Sequence, residues 1–361
     1  MSLIHQSLCS IVVVTYNGKA LLERFLPSIM NQDYPNFEVV IVDNASQDGS
    51  IEFIEKNYPK AVLVKSNENL GTAEGSNLGA RHTKGDYIFW VSNDMELEPH
   101  FLSYLIETAQ SDDQIGITTC KMRRITADGQ KLNIIDSVGS DLDVFGFPKA
   151  RGIAEEDTGQ LDFKTEVFFS FGGAMLIKKN VLDHIGGYDP AVFTLADDID
   201  LSWRARLAGY KVVADPRAVL YHRVSATLSA ISRGQRRFLS ERNTLRMILK
   251  NYSLLTLLWI LPGYFMLLAG EILFYCMIGK FEVAKGVLRA LGWNIFLLSE
   301  TMSLRRDVQK LRKAGDNIIR GYMLKTPQKL SLFIDFLKNP KGPNWQNFFT
   351  HTSAAAHKKV S

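Results

Sequence analysis

Short β-branched apolar runs alternate with amphipathic stretches through the first 220 residues. Residues 10–14 read as a buried parallel strand. Leu22, Phe25, Leu26 and Ile29 then share one face of a helix over 21–31. The same alternation predicts strands at 37–42, 61–64 and 87–91, with helices at 50–57 and from Gly71 to about residue 83. Strand–helix alternation of this kind predicts an α/β fold with a doubly wound, mostly parallel sheet and right-handed crossovers. In such a sheet the C-terminal strand ends share one edge, and ligands bind there. Here those ends are polar: Thr15-Tyr16-Asn17, Asp43-Asn44, the loop holding Asn67 and Asn69, and Asn93-Asp94.

Further on, a strand is expected over 116–124 and a weakly alternating hairpin or loop over 131–149. Residues 167–171 lead into Gly172-Gly173 and a strand at 175–178. A helix over 198–207 stops at Gly209, with Asp197, Asp198 and Asp200 crowded at its start. The last strand is short, 212–214, and a strand-like run ends at His222.

The rear of the chain changes character. Residues 254–278 are long and apolar enough to cross a bilayer, although Pro262-Gly263 and Glu271 interrupt them. A second stretch, 287–304, includes Arg289 and Glu300. Basic clusters flank the pair, Arg233 to Arg246 before and Arg305 to Lys313 after. Positive charge on both flanks predicts two crossings or none, with the front part of the chain on the cytoplasmic side of the cell membrane. A helical hairpin or a pair of interfacial helices fits best, and an ordinary helical domain is the alternative. The expected domains are therefore 1–232, a helical membrane-associated region at 233–339, and a small polar tail at 340–361.

Charge sharpens that division. Residues 1–232 carry 21 Lys/Arg against 31 Asp/Glu, whereas 233–361 carry 21 against 7. Basic plus apolar points to an anionic membrane surface and away from nucleic acid. Cys9, Cys120 and Cys276 show no pairing or zinc spacing. The N-terminus lacks the basic segment and cleavage site of a signal peptide. Neither G-x-G-x-x-G nor a P-loop follows the first strand.

Several groups have two readings. Asp94 and Glu96 could point to one side and hold a divalent cation, or form a solvated turn. Gly71, Gly75 and Gly79 line one helix face, either for close packing or for approach of a phosphate or sugar. Gly172-Gly173 admits a ligand or makes a tight bend. Asp197, Asp198 and Asp200 cap a helix. A general base among them would need its pKa raised by burial or by like-charge repulsion. His222 is a satisfied histidine or a metal or phosphate ligand.

Together the segments VVVTYNG, VDNASQDGS, NENLGTAEGSNLG, SND and GGYD…DDIDLSWRARLAGY resemble the family 2 glycosyltransferases, with a GT-A nucleotide-sugar-binding fold, over about residues 10–222. The resemblance implies that Thr15, Tyr16 and Asn17 hold the nucleotide base and that Asp43 accepts from the uracil or thymine imide. It implies that Asn69, Gly71 and Asn77 line the donor. Asp94, the last carboxylate of the family's DxD motif, would hold Mg²⁺ or Mn²⁺ on the diphosphate, with His222 as a further metal ligand. Asp198 would be the general base of a single inverting displacement, with Gly173, Asp197 and Trp203 on the acceptor side. Two positions depart from the pattern: Ser92 stands at the first DxD position, and Asp197 replaces a glutamate. The processive signature QxxRW is absent, since Gln235-Arg236-Arg237-Phe238 does not fit it, so one sugar is expected per acceptor. The pattern is most similar to the rhamnosyltransferase and galactofuranosyltransferase branch. The partners implied are a UDP- or dTDP-sugar, a glycan or lipid-linked acceptor and the membrane; the oligomeric state stays open. Two alternatives remain, a sugar-nucleotidyltransferase, for which Asn17-Gly18-Lys19 is a poor loop, and a weak or inactive nucleotide-sugar binder.

Overall fold

The computed structural model describes residues 7–223 and 231–338. The expected tail and the first six residues lie outside these. The front half runs β1 (Cys9–Thr15), α1 (Lys19–Met30), β2 (Phe37–Asp43), α2 (Ser50–Asn57), β3 (Val62–Lys65), α3 (Gly71–Ala80), β4 (Tyr87–Ser92), β5 (Met95–Leu97) and α4 (Phe101–Gln110). It continues with β6 (Ile115–Ile125), β7 (Lys131–Val138), β8 (Ser140–Leu142), β9 (Pro148–Ala150), β10 (Thr165–Glu166), β11 (Ala174–Lys178), α5 (Lys179–Ile185), α6 (Asp197–Leu207) and β12 (Lys211–His222). The rear half is helical: α7 (Arg233–Asn251), α8 (Leu254–Met277), α9 (Phe281–Phe296), α10 (Leu298–Lys310), α11 (Asp316–Gly321) and α12 (Gln328–Lys338).

The main sheet runs β10-β12-β6-β11-β4-β1-β2-β3, with β5 added to β12 and β7 to β6. Strands β3, β2, β1 and β4 are mutually parallel, as are β6 and β12. Only β11 intervenes antiparallel, pairing with both β4 and β6. The parallel strands therefore end at one rim, and β11 begins there. Alternate residues of β1 point to opposite faces. Ile11 and Val13 pack with Leu22, Leu26 and Leu105 of α1 and α4. Val12 lies against Gly79 of α3 on the other face, in a cluster that extends to Val181 of α5 and to Leu201 and Ala205 of α6. Both faces are covered, the α/β arrangement with a mostly parallel sheet that the alternation predicts.

Three departures have physical causes. Residues 131–149 form two strand pairings, β7 on β6 and β8 with β9, where a loop was an equal expectation. The alternation there is weak because β7 buries the polar Asp136 and Ser137. Strand β12 passes through Pro216 instead of ending before it. The register shifts between Asp215 and Val219, and a bulge is where a strand tolerates proline. The second apolar stretch divides at Leu297 into α9 and α10.

Nor do the rear helices form a separate core. Trp203 and Leu207 of α6, Phe147 and Phe168 share one apolar cluster with Ile248 of α7, Tyr252 just after it, and Leu257 and Tyr264 of α8.

Candidate active site

The donor side of the rim is built by strand register. Thr15 at the end of β1 lies beside Asp43 at the end of β2, and Val14 lies beside Ser92. Asp43 is fully buried; its Oδ1 accepts from Ser46 N at 3.0 Å. Its Oδ2 is buried with no hydrogen-bond partner among the described residues. A buried acceptor without a partner costs free energy unless a donor completes it. Asn93 Nδ2 donates to Thr15 Oγ1 at 2.9 Å and ties the β4 end to the β1 end. Tyr16 is half exposed, free to lie against a planar ring. Asn17 has φ +47°; its Oδ1 accepts from Gln47 N at 2.8 Å, so it braces two rim loops.

Asp94 stands in the turn between β4 and β5. It is nearly buried, and its Oδ1 has no partner among the described residues. His222 closes β12, with Nε2 3.7 Å from Asp94 Oδ2 and Nδ1 2.8 Å from Asp136 Oδ2. Burial opposes charge on this imidazole, but carboxylates on both sides raise its pKa to about 10. No group of three or more His, Cys, Asp or Glu that could hold a metal occurs among the described residues. The unsatisfied Asp94 oxygen fits a cation site completed by diphosphate and water; the facing imidazole would join it by giving up the proton that its two carboxylates hold on it. Glu96 does not join them. As part of β5 it points elsewhere and pairs with Lys131 at 2.9 Å.

The opposite side carries the paired carboxylates. Ser92 N donates to Gly173 O at 2.9 Å, and Gly172 N donates to Asp198 Oδ2 at 2.8 Å. The Gly172-Gly173 bend thus links the β4 end to Asp198. Thr72 Oγ1 donates to Asp197 Oδ2 at 3.1 Å, which links the start of α3 to the same pair. Burial, followed by the neighbouring Asp197 charge, pushes Asp198 up to about 7. Burial also raises Asp197. Desolvation and like-charge repulsion therefore outweigh the helix N-terminus, as a base working near neutrality requires. Asp43, Asp94 and Asp198 stand around one rim.

Other expected positions serve the frame. Asn69 Oδ1 accepts from Gly71 N at 3.0 Å and so precedes α3 as a local cap. Gly71 has φ +75°, and a Cβ there would meet Phe193 O at 2.4 Å. A Cβ on Gly79 would meet Val12 Cγ1 at 2.4 Å, so close packing accounts for these glycines. Asn77 is spent on another loop: it accepts from Tyr188 N at 2.8 Å and donates to Tyr188 O at 2.9 Å. Trp203 cannot meet an acceptor. It is fully buried between Phe168 and Tyr252, with ring centroids 5.7 and 4.7 Å away. Five residues along a helix turn it about 140° from Asp198.

The sequence reading missed Asn44, whose Nδ2 donates to Gly71 O at 3.0 Å, and Asp136 behind His222. It also missed α7. Arg246 Nε and Lys250 Nζ donate to Asp189 Oδ2 at 2.7 and 2.6 Å, and Lys250 reaches Asp200 at 3.1 Å. The adjacency of Asn44 to Asp43 was a usable signal. Nothing in the local pattern marked Asp136 or α7.

Residues 10–186 match the family described as Glycosyl transferase family 2, and residues 160–299 match Glycosyl transferase family group 2. Residues 10–186 are thus similar to a family 2 glycosyltransferase domain, and the fold is GT-A-like. It is 24% identical over 225 residues to poly-beta-1,6-N-acetyl-D-glucosamine synthase of Staphylococcus epidermidis, covering 62% of this chain and 51% of that protein. The protein of the same name from Staphylococcus aureus (strain COL) is 24% identical over 222 residues, covering 61% and 51%. The chain thus spans about half the length of these curated relatives. A crystal structure of GalNAc-T7 with UDP, GalNAc and Mn²⁺ superposes with a TM-score of 0.54 at 17% identity, covering 68% of this chain and 48% of that one.

Proposed function

We propose that this protein transfers one sugar from a nucleoside-diphosphate sugar to a hydroxyl acceptor by a single inverting displacement. The observation that carries the reading is the position of Asp198, a carboxylate held up near pH 7, on the same rim as the unsatisfied acceptors of Asp43 and Asp94. Asp43 Oδ2 would accept the imide N–H of uracil or thymine, which favours a UDP- or dTDP-sugar. Tyr16 would lie against the base. Mg²⁺ or Mn²⁺, when bound at Asp94 and His222, would offset charge on the leaving diphosphate. Asp198 would take the acceptor's proton as its oxygen attacks the anomeric carbon. The bond to the diphosphate oxygen breaks, and the electron pair leaves with the diphosphate. Holding both substrates in line supplies much of the remaining acceleration.

The absent processive signature favours single addition in cell-surface glycan synthesis, in the manner of the rhamnosyl- and galactofuranosyl-transferring branch. The apolar, basic rear helices favour work at the cytoplasmic face of the membrane, on a glycan or lipid-linked acceptor. Ser92 at the first DxD position supports a second reading, a weak or inactive binder of nucleotide sugars. A panel of UDP-, dTDP- and GDP-sugars with Mn²⁺, read by thermal shift and by donor hydrolysis, separates the two. Stabilisation without turnover leaves only the binder. Stabilisation by none of the donors removes both.

A further inference from the structure

The segment between the 3-10 turn at Pro190–Val192 and α6 delivers the paired aspartates, and its backbone is strained. Phe193, Leu195 and Ala196 have φ of +63°, +71° and +63°. Side chains other than glycine hold such conformations only where the surroundings over-determine them. Here the surroundings are two side chains of α7. Arg242 Nη2 donates to Ala191 O at 3.2 Å and Val192 O at 2.9 Å. Asn243 Nδ2 donates to Val192 O at 3.1 Å, Thr194 O at 2.8 Å and Leu195 O at 2.8 Å. The amide orientation is fixed, because Arg242 Nε, which can only donate, meets Asn243 Oδ1 at 3.1 Å. Arg242 is itself held over Trp293, its guanidinium carbon 4.6 Å from the ring centroid.

From this splint the bonds run directly to the rim. Phe193 O accepts from Thr72 N at 2.7 Å and Ala73 N at 3.2 Å at the start of α3. Thr72 also holds Asp197. Ala196 O accepts from Asp200 N at 3.1 Å and opens the helix that carries Asp198.

We propose that Arg242 and Asn243 are positioning residues for the general base, so that the rear helical segment completes the catalytic rim as well as attaching it to a membrane. The inference rests on the transferase reading above. It requires that the strained loop relax, and Asp198 lose its aim, when the amide donors are removed.

The test uses the full chain with its donor and Mn²⁺. Asn243→Asp keeps the volume but turns an acceptor toward the three carbonyls; Asn243→Ala removes both atoms. Both are expected to lower kcat at least 30-fold while donor KM stays within about threefold, and to speed amide hydrogen exchange across 191–196. The control is Asn294→Ala, which loses bonds to Arg242 O and Ala290 O at 2.9 and 3.0 Å but touches no carbonyl of the loop. It is expected to keep kcat within threefold. Retention of kcat by Asn243→Asp overturns the proposal. So does a loss that merely follows melting temperature across all three variants. A wild-type chain with no turnover would sink the transferase reading instead; hydrogen exchange then decides this one, and unchanged exchange in Asn243→Ala overturns it. Should the Asn243 variants not fold, Arg242→Lys, which shortens the reach to Ala191 and Val192, is read by the same measurements.

Discussion

The imidazole Nε2 of His222 stands 3.7 Å from Asp94 Oδ2, joining the end of β12 to the turn after β4 across the rim. Its other nitrogen is already committed to Asp136 Oδ2 at 2.8 Å. A carboxylate behind a ligating histidine fixes the tautomer and the ring, and losing such a partner typically costs 10–100-fold in metal affinity. Asp136→Asn is therefore expected to weaken Mn²⁺ binding about 10- to 100-fold, and His222→Ala by more. Electron paramagnetic resonance titration of free Mn²⁺ checks both without turnover. Equal affinity in the Asp136 variant would leave that residue a mere packing partner.

Asp198 gives a pH prediction whose sign can be worked out. Its folded pKa of about 7 lies above the unfolded value of about 3.9. As a base it works deprotonated, so kcat/KM should rise about tenfold per pH unit below 7 and level off above. Asp197→Asn removes the second cause of the shift and should move that limb to lower pH. In stability the same group acts in reverse. The folded state keeps a proton that the unfolded state loses, so stability falls as pH rises from about 4 to about 7. Asp198→Asn should therefore abolish transfer yet melt higher than wild type at pH 8, by about 1–2 kcal/mol, the usual trade between a working site and a stable one. The gain should vanish near pH 4. A variant that melts lower at pH 8 would contradict the burial argument.

Part of this site is legible in the sequence alone. Thr15, Asp43 and Asp94 were readable because apolar strands announce their ends, and parallel topology gathers those ends at one edge. Asp198 was readable because helix capping did not account for adjacent carboxylates. Asp136 was hidden by a strand that buries polar side chains, and so lacks the alternation that marks a strand. Helix α7 was hidden more thoroughly. Arg233 to Arg246 read as the basic flank of a membrane segment, yet Arg237, Arg242 and Arg246 are buried, as are Asn243 and Lys250. Their partners, such as Asp189 and the Val192 carbonyl, lie about fifty residues away in the chain, out of reach of any local pattern. Trp203 misled for a related reason. The resemblance placed it on the acceptor side, but the helical phase turns it into the core.

The Asp189 cluster tests whether α7 is structural in a measurable sense. Arg246 and Lys250 hold this carboxylate well below the usual range, against the effect of burial. Stability from a depressed carboxylate is present above its unfolded pKa and lost as pH falls through the folded one. Asp189→Ala would leave Lys250 only Asp200 and Arg246 only Glu300 and Thr301 as side-chain partners, and breaking a buried pair in this way costs about 3–5 kcal/mol. The expected result is a large fall in the urea midpoint at pH 7, shrinking on acidification. A midpoint within error of wild type would show the cluster to be incidental.

The rear helices invite a choice between crossing a bilayer and lying on it, and the two faces of α8 decide. Among the described residues α8 is the one helix long and apolar enough to span. Leu257, Ile260, Tyr264 and Leu268 are buried in the cluster that holds Phe147 and Trp203, and Phe274 and Tyr275 further along pack with Val283 and Ala284 of α9. Glu271 faces inward too, ion-paired to Arg237 and to Lys329 at 2.7 Å. A helix that packs one face on the front domain and then on α7, α9 and α12 has that face closed to lipid. Its other stripe is bare: Leu255 is 78% exposed, and Leu254, Leu258, Met266, Leu273 and Met277 follow at helical spacing. Helix α9 extends this surface with Phe281, Leu288, Ile295 and Phe296, the last 84% exposed, and adds exposed Lys285 and Arg289. An apolar cleft of about 660 Å³ between α8 and α10, lined by Leu255, Leu258 and Met302, opens on the same side. Apolar stripes bordered by basic side chains suit an anionic interface entered in plane. The chain is expected to float with vesicles containing phosphatidylglycerol, to float less at high salt, and to be released by Leu258→Glu with Phe296→Glu. Protease added outside such vesicles should reach both ends of α8. Protection of one end together with persistence through carbonate washing would instead establish a crossing, and would require the buried face of α8 to part from the enzyme.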